Sequence, residues 1–321
     1  MATYQSTNMA ELIADVASLI KAEVKSTGDL PSVRKVSTEP LVNPAAFPFI
    51  TVTPISETLK GYRGDKLYNV RRIRIEMVAK KRDSKSALRQ ALGMSAKVQA
   101  IFKVNSNSWL IPDRATAATD TAMDTQIIEI ESSNNNAPFR NGFMHISALE
   151  LEIHSFDKMF TSDYAKGVQE RAATTSSTDT KTLIDKVTSL IKTAKLASPL
   201  IQDVKSLKSF TLPPQPIYPV VFVSIENESR EHAFAGQDSI NRTVGINIFT
   251  KIKSRKKSLD RNVDLADRLR QLVMMNPNIS GTCYSTDYIG TSYGQLTGGN
   301  DLLFGTQVLF NTYSYGSLHT S

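Results

Sequence analysis

The residues of this sequence whose types could do chemistry are four histidines, one cysteine, several alternating carboxylates and two basic clusters. His145 and His154 lie an odd number of positions apart in a stretch that reads as a strand, which places them on opposite faces of a sheet. His232 and His319 stand apart from both, and no Asp, Glu or His group recurs at metal-ligand spacing. Cys283 is the single cysteine, so there is neither a disulfide framework nor a thiolate cluster, and it reads as a lone buried thiol. The sequence has no Gly-x-Ser-x-Gly, no phosphate-binding loop and no dinucleotide fingerprint. Gly298, Gly299 and Gly305 fall in a turn and a strand, where they serve geometry. Glu129 and Glu131, and again Glu150 and Glu152, alternate as the solvated face of a sheet would. The expectation is therefore no catalytic residue, no bound cofactor and no metal.

What remains is positive charge at two turns. Lys80, Lys81 and Arg82 continue to Lys85 and Arg89; a second cluster runs through Lys251, Lys253, Arg255, Lys256, Lys257 and Arg261. No aromatic residue interleaves either cluster, which argues against a surface on which bases stack. The plain reading is a solvated corner between a strand and a helix. The functional reading is a positive surface facing a phosphate backbone or an acidic partner, with Lys80, Lys81, Arg82, Lys251 and Lys253 as its candidate residues.

The elements that position these corners occur twice. Arg71–Arg82 returns 171 positions later as Arg242–Lys253, with Ile73, Ile75 and Met77 falling on Val244, Ile246 and Ile248 at the period of a half-buried strand. At the same offset, Leu88, Leu92, Val98, Ile101 and Phe102 fall on Leu259, Val263, Leu269, Leu272 and Val273 at helical spacing. Upstream, Leu12–Lys21 matches Leu183–Lys192 at seven of ten positions, Phe47–Thr53 matches Tyr218–Ser224, and Glu57 lands on Glu228. One gap-free register from Leu12 to Asn105 indicates an internal duplication.

In order, each copy reads as helix, strand, strand, helix, strand, strand. Asn8, with Glu11 three positions on, suits an N-cap for a first helix ending at Thr27–Asp29. Residues 29–46, with three prolines, read as an irregular connection. Ile55–Val70, with Gly61 and Gly64, reads as a long exposed hairpin loop, and Glu226–Asn241 as its counterpart. Asp83 or Ser84 caps the second helix. A strand follows at Thr125–Glu131, then a loop at Ser132–Pro138. The last strand, Asn141–His154, changes apolar phase and so carries a predicted bulge between Ala148 and Leu149. The second copy has helices at Leu183–Leu196 and Leu259–Met275, closing strands at Ser280–Tyr293 and Leu302–Tyr315, and a turn at Gly298–Asn300.

The fold class is thus α+β: two tandem homologous domains, 1–160 and 180–321, each a mostly antiparallel sheet flanked by two helices, joined by a linker at 161–179. The formal charge of +7 divides evenly, with 22 basic and 19 acidic residues before Thr178 and 16 and 12 from there on. That excess permits contact with nucleic acid but does not demand it. The N-terminus lacks a basic-then-apolar signal, and no apolar run approaches the ~20 residues that span a bilayer, so synthesis in a reducing cytoplasm and no membrane partner are expected. Outward faces of the central strands diverge: Arg72, Arg74 and Glu76 in one copy, Thr243, Gly245 and Asn247 in the other.

The segments Pro48–Thr53, Arg71–Arg82 and the helix to Phe102, with their copies at Pro219–Ser224, Arg242–Lys253 and Leu259–Val273, resemble the tail-terminator (tail-completion) proteins of long-tailed bacteriophages. The resemblance lies in pattern and covers most of both halves. It implies a non-enzymatic virion protein of the neck or top of the tail, assembled in the host cytoplasm. Its expected partners are further copies of itself in a ring, the tail tube protein, neck or connector proteins, and passing double-stranded DNA contacted without sequence preference. Simple members of the family have one domain per chain and six domains per ring. Two domains here imply either three chains in a pseudo-sixfold ring or a hexamer with two stacked rings. A head-completion protein, or a DNA-binding module using the basic corners, would also suit these residues.

Overall fold

The computed structural model describes residues 9–24, 30, 32–38, 46–63, 66–104, 124–138, 142–158, 179–197, 201–212, 216–232, 237–251, 255–298 and 301–317. The chain forms two compact units, Met1–Lys158 and Met159–Ser321. It is an α+β protein whose sheet is mostly antiparallel. The expected linker at 161–179 lies outside the described residues except for Asp179.

The first unit contains α1 (Met9–Glu23), β1 (Lys35–Ser37), β2 (Phe49–Arg63), β3 (Lys66–Lys81), α2 (Ser84–Val104), β4 (Asp124–Pro138) and β5 (Phe143–Lys158). Its strands lie in the order β4-β5-β3-β2-β1, with only β1 and β2 parallel. Both helices cover the face that carries Ile50, Val52, Ile73, Ile75, Met77, Leu149 and Leu151. Each of these side chains is fully enclosed, and such burial contributes at most about 2 kcal/mol per residue. The alternation in the middle of β3 is thereby explained: Ile73, Ile75 and Met77 feed the core, and Arg72, Arg74 and Glu76 lie on the opposite face.

The second unit contains α3 (Thr180–Ala197), β6 (Ser206–Ser209), β7 (Val220–His232), β8 (Gln237–Thr250), α4 (Arg255–Met274), β9 (Ser285–Gly298) and β10 (Asp301–Ser317). Its strands lie in the order β9-β10-β8-β7-β6, again with only the short strand parallel. Ile50 pairs with Met77, and Val221 pairs with Ile248 at the same offset. The backbone shifts register between Pro54 and Ser56, and at the same offset between Ile225 and Asn227. Leu149 faces Ile75, and Val308 faces Ile246. A further shift skips Ile128 in β4 and Ile289 in β9. The peptides Phe47-Pro48 and Tyr218-Pro219 are both cis.

Several expectations change. Residues 29–46 are not wholly irregular: Val33 N–H donates to the Leu30 carbonyl at 3.1 Å, Arg34 N–H donates to the Pro48 carbonyl at 2.9 Å, and β1 follows. Three residues are too few for any periodicity to announce them. Ile55–Val70 and Glu226–Asn241 are not loops but the outer halves of long hairpins, paired out to Arg63–Lys66 and His232–Asp238. The register shifts break the alternation, which made these arms read as loops. Ser132–Pro138 also belongs to a strand, its three asparagines accommodated between the pairs Ser133–Ile146 and Ala137–Met144. No bulge interrupts β5 at Ala148, because β3 and β5 pair without a shift along their whole length. The apparent phase change arose because His145 and Ser147, both polar, occupy the helix-covered face. Asn8, Thr27–Asp29 and Gly299–Asn300 lie outside the described residues.

Candidate functional site

The corner of the first unit is where β3 leaves the sheet and α2 begins. Asp83 ends the strand's basic run and caps the helix, its carboxylate accepting the Ser86 N–H at 2.8 Å. That backbone hydrogen bond is the main reason its pKa lies below the usual carboxylate value. Lys81, Arg82, Lys85 and Arg89 are exposed around this turn, while Lys80 is half-buried. Lys80 Nζ sits 5.8 Å from the centre of the Phe47 ring, within cation–π range. Phe47 in turn lies 5.3 Å from Phe49. Lys81 is paired across the ladder with Phe143, which is itself exposed. The fold therefore brings aromatic rings to a basic run that has none in sequence. Gly142 permits this closeness, since a Cβ there would meet the Lys81 carbonyl oxygen at 2.7 Å.

The second corner is described only in part. Lys251 and Lys257 are exposed, and Lys253 lies outside the described residues. Arg261, read as part of the same cluster, is instead ion-paired with Asp203. Asp179 caps α3 as Asp83 caps α2, accepting the Thr182 N–H at 2.7 Å, and this bond lowers its pKa.

A charge pair sits at the base of each hairpin arm, buried in the first unit and half-buried at its carboxylate in the second, and sequence reasoning missed both. Arg71 Nε donates to Glu57 at 3.2 Å with both side chains enclosed. In the second unit Arg242 Nε donates to Glu228 at 2.8 Å, and Arg242 also reaches Ser314 Oγ at 3.1 Å. Glu228 further accepts from Thr180 Oγ1 at 2.7 Å and from Arg230 at 2.9 Å. The Arg242 hydrogen bond is the largest of the influences that bring its pKa to about 2. The available signal was a Glu–Arg pair recurring 14 positions apart in both halves.

The sheet faces opposite the helices differ as their sequences do. In the first unit Arg72 pairs with Glu152 at 3.1 Å, and Arg74 bridges Glu150 at 3.1 Å and Glu76 at 3.3 Å. Glu150 and Glu152 are thus half-buried partners in a cross-strand ladder rather than plain solvated surface. In the second unit the face is a chain of neutral groups that ends on a carboxylate: Gln307 donates to Asn247 at 3.2 Å, Asn247 to Ser224 at 2.8 Å, and Ser224 to Glu226 at 2.6 Å. Gly245 leaves room for that carboxylate, because a Cβ there would meet Glu226 Oε1 at 2.5 Å.

The histidines occupy opposite sides of β5. His145 is buried on the helix side, its Nε2 2.9 Å from Ser84 Oγ; His154 lies on the other, its Nδ1 2.6 Å from Tyr68 Oη. Cys283 is buried, which pushes its thiol up to about 11. Among the described residues no His, Cys, Asp and Glu form a group able to hold a metal ion, and no helix is long and apolar enough to cross a membrane. The side chains of Glu129 and Glu131 lie outside the description. No protein-family model matches the chain, and no curated protein matches it.

Proposed function

We propose that the two units are tandem copies of one tail-terminator-like domain, and that the chain is a non-enzymatic structural protein of a phage neck or tail. Copies of it form a ring that caps the tail tube and joins it to the head. The observation carrying this reading is that two units of the same strand order repeat their central pairings, two register shifts and a Glu–Arg pair at the base of the arm. Quasi-equivalent units in one chain suit a closed ring, in which identical contacts recur at each step of rotation. Three chains with pseudo-sixfold symmetry, or six chains with two stacked layers, both satisfy it. The partners are further copies of the chain, the tube protein and neck proteins. Lys80, Lys81, Arg82, Lys251 and Lys253 are the basic residues proposed to face a partner or passing duplex DNA.

Negative-stain imaging of the purified protein tests the assembly: rings of sixfold or pseudo-sixfold outline are expected, and a monodisperse monomer at all concentrations would overturn it. Mixing the protein with tail tubes tests the role. Density confined to one tube end is expected; binding to the portal instead would assign a head-completion role. The exposed cations at the first corner favour a second reading, a duplex-DNA-binding module. DNA binding by the free protein that falls steeply with salt, without rings, would establish it.

A further inference from the structure

The two corners share a sign of charge, but the two hairpin arms do not. Ile55–Val70 contains three basic and two acidic residues, and one of those acids, Glu57, is enclosed with Arg71. Glu226–Asn241 contains four acidic residues and one basic one. In the second arm Glu226 and Glu231 are both exposed, Glu226 while accepting the Ser224 hydroxyl at 2.6 Å, so two carboxylates of the arm face solvent. Glu228, the arm's remaining described carboxylate, is held by Arg242 and Thr180 and is not available for an outside partner. The first corner is the complement: Lys81, Arg82, Lys85 and Arg89 are exposed there, and the one acid among them, Asp83, is engaged in capping α2.

We infer that the acidic arm of one copy, through Glu226 and Glu231, docks on the basic corner of another copy, through Lys81, Arg82, Lys85 and Arg89. The occupant of the corner is thus a second copy of this chain. The inference rests on the ring reading and specifies which surfaces close it. A contact between two different patches is heterologous, and heterologous contacts generate rings when the rotation closes. Opposite charge at such a contact favours the correct register and penalises arm-to-arm and corner-to-corner encounters, where like charges meet. The first arm lacks the acidic excess, so the second corner is left without this type of partner. One corner per chain is then the proposed arm contact.

Charge reversal with exchange tests the pairing in the full chain. Glu226→Lys with Glu231→Lys forms one variant, and Lys81→Glu with Arg82→Glu the other. Sedimentation velocity follows assembly, and thermal melting checks that each variant keeps the wild-type fold. Each variant alone is expected to associate at least about tenfold more weakly than wild type, as removal of interface charges does. Combining all four substitutions in one chain is expected to restore assembly, because every arm–corner pair then regains opposite charges whatever the number of chains in the ring. Rings formed by either two-site variant alone as readily as by wild type would overturn the inference while leaving the ring reading intact. Failure of the folded four-site variant to assemble would also overturn it. A wild-type protein that stays monomeric would sink the ring reading itself, and this pairing with it.

Discussion

At the residue scale, a Glu–Arg pair stands at the base of each arm. Arg71 is entirely enclosed, and removing it leaves Glu57 buried without its cation. Such an orphaned charge typically costs about 3–5 kcal/mol, whereas an apolar replacement of both partners is far milder. Arg71→Met should therefore lower the denaturant midpoint strongly, and Arg71→Met with Glu57→Leu should recover most of the loss. An equal loss in both variants would show that the pair itself, not the stranded charge, holds the arm. Glu228 adds a pH dependence. Its carboxyl titrates near 4.5 when unfolded and near about 2 when folded, so the folded state favours the ionised form. The stability it contributes is present above about pH 4.5 and is lost as pH falls toward about 2. Melting temperatures of wild type and Glu228→Gln should thus be furthest apart near neutrality and converge on acidification through that window. A constant difference across it would assign the effect to packing. Cys283, with its thiol raised by burial, is expected to take no part in chemistry of the folded state.

At the element scale, the arms are the feature with the most to test. Replacing residues 60–68 with an Asn-Gly turn joins Leu59 of β2 to its partner Asn69 of β3 by a tight hairpin and preserves the Glu57–Arg71 pair at its base. The shortened protein should melt within a few degrees of wild type yet fail to form rings or cap tubes. Unchanged capping would show that the first arm touches no partner. Much of this architecture was legible in the sequence. The apolar alternation of β3 and β8 and the helical spacing of α2 and α4 are direct consequences of one-sided burial, so both appear in the pattern. The arms were not legible, because shifts at Ile55 and Glu226 put the alternation out of phase where burial also ends. β1 and β6 are too short to carry a period. The polar core face of β5 imitated a bulge, since His145 is buried through its contact with Ser84 rather than through apolarity. Of the candidate site, the basic residues were visible, but Phe47 and Phe143 come to them through pairing and packing across the sheet, which sequence distance conceals.

At the scale of the whole molecule, the proposed arm contact would set two corners of like charge in different surroundings. The first corner is assigned to a neighbouring copy; the second, with Lys251 exposed, has no acidic arm to receive. If DNA crosses the ring, this second corner is where its phosphates meet positive charge. Passage requires loose binding, and each phosphate contact adds roughly one unit to the slope of log affinity against log salt. Two lysines per chain thus give a contact that physiological salt weakens heavily, which suits a duplex that must slide. Lys251→Glu with Lys253→Glu is expected to leave a folded protein, which thermal melting checks. Ring formation should also survive, unlike in the Lys81→Glu, Arg82→Glu variant. DNA release from particles assembled with this protein should be slowed, most at low salt, where repulsion between carboxylates and phosphates is least screened. Release at the wild-type rate across a range of salt would return Lys251 and Lys253 to the role of solvated residues at a strand-to-helix turn.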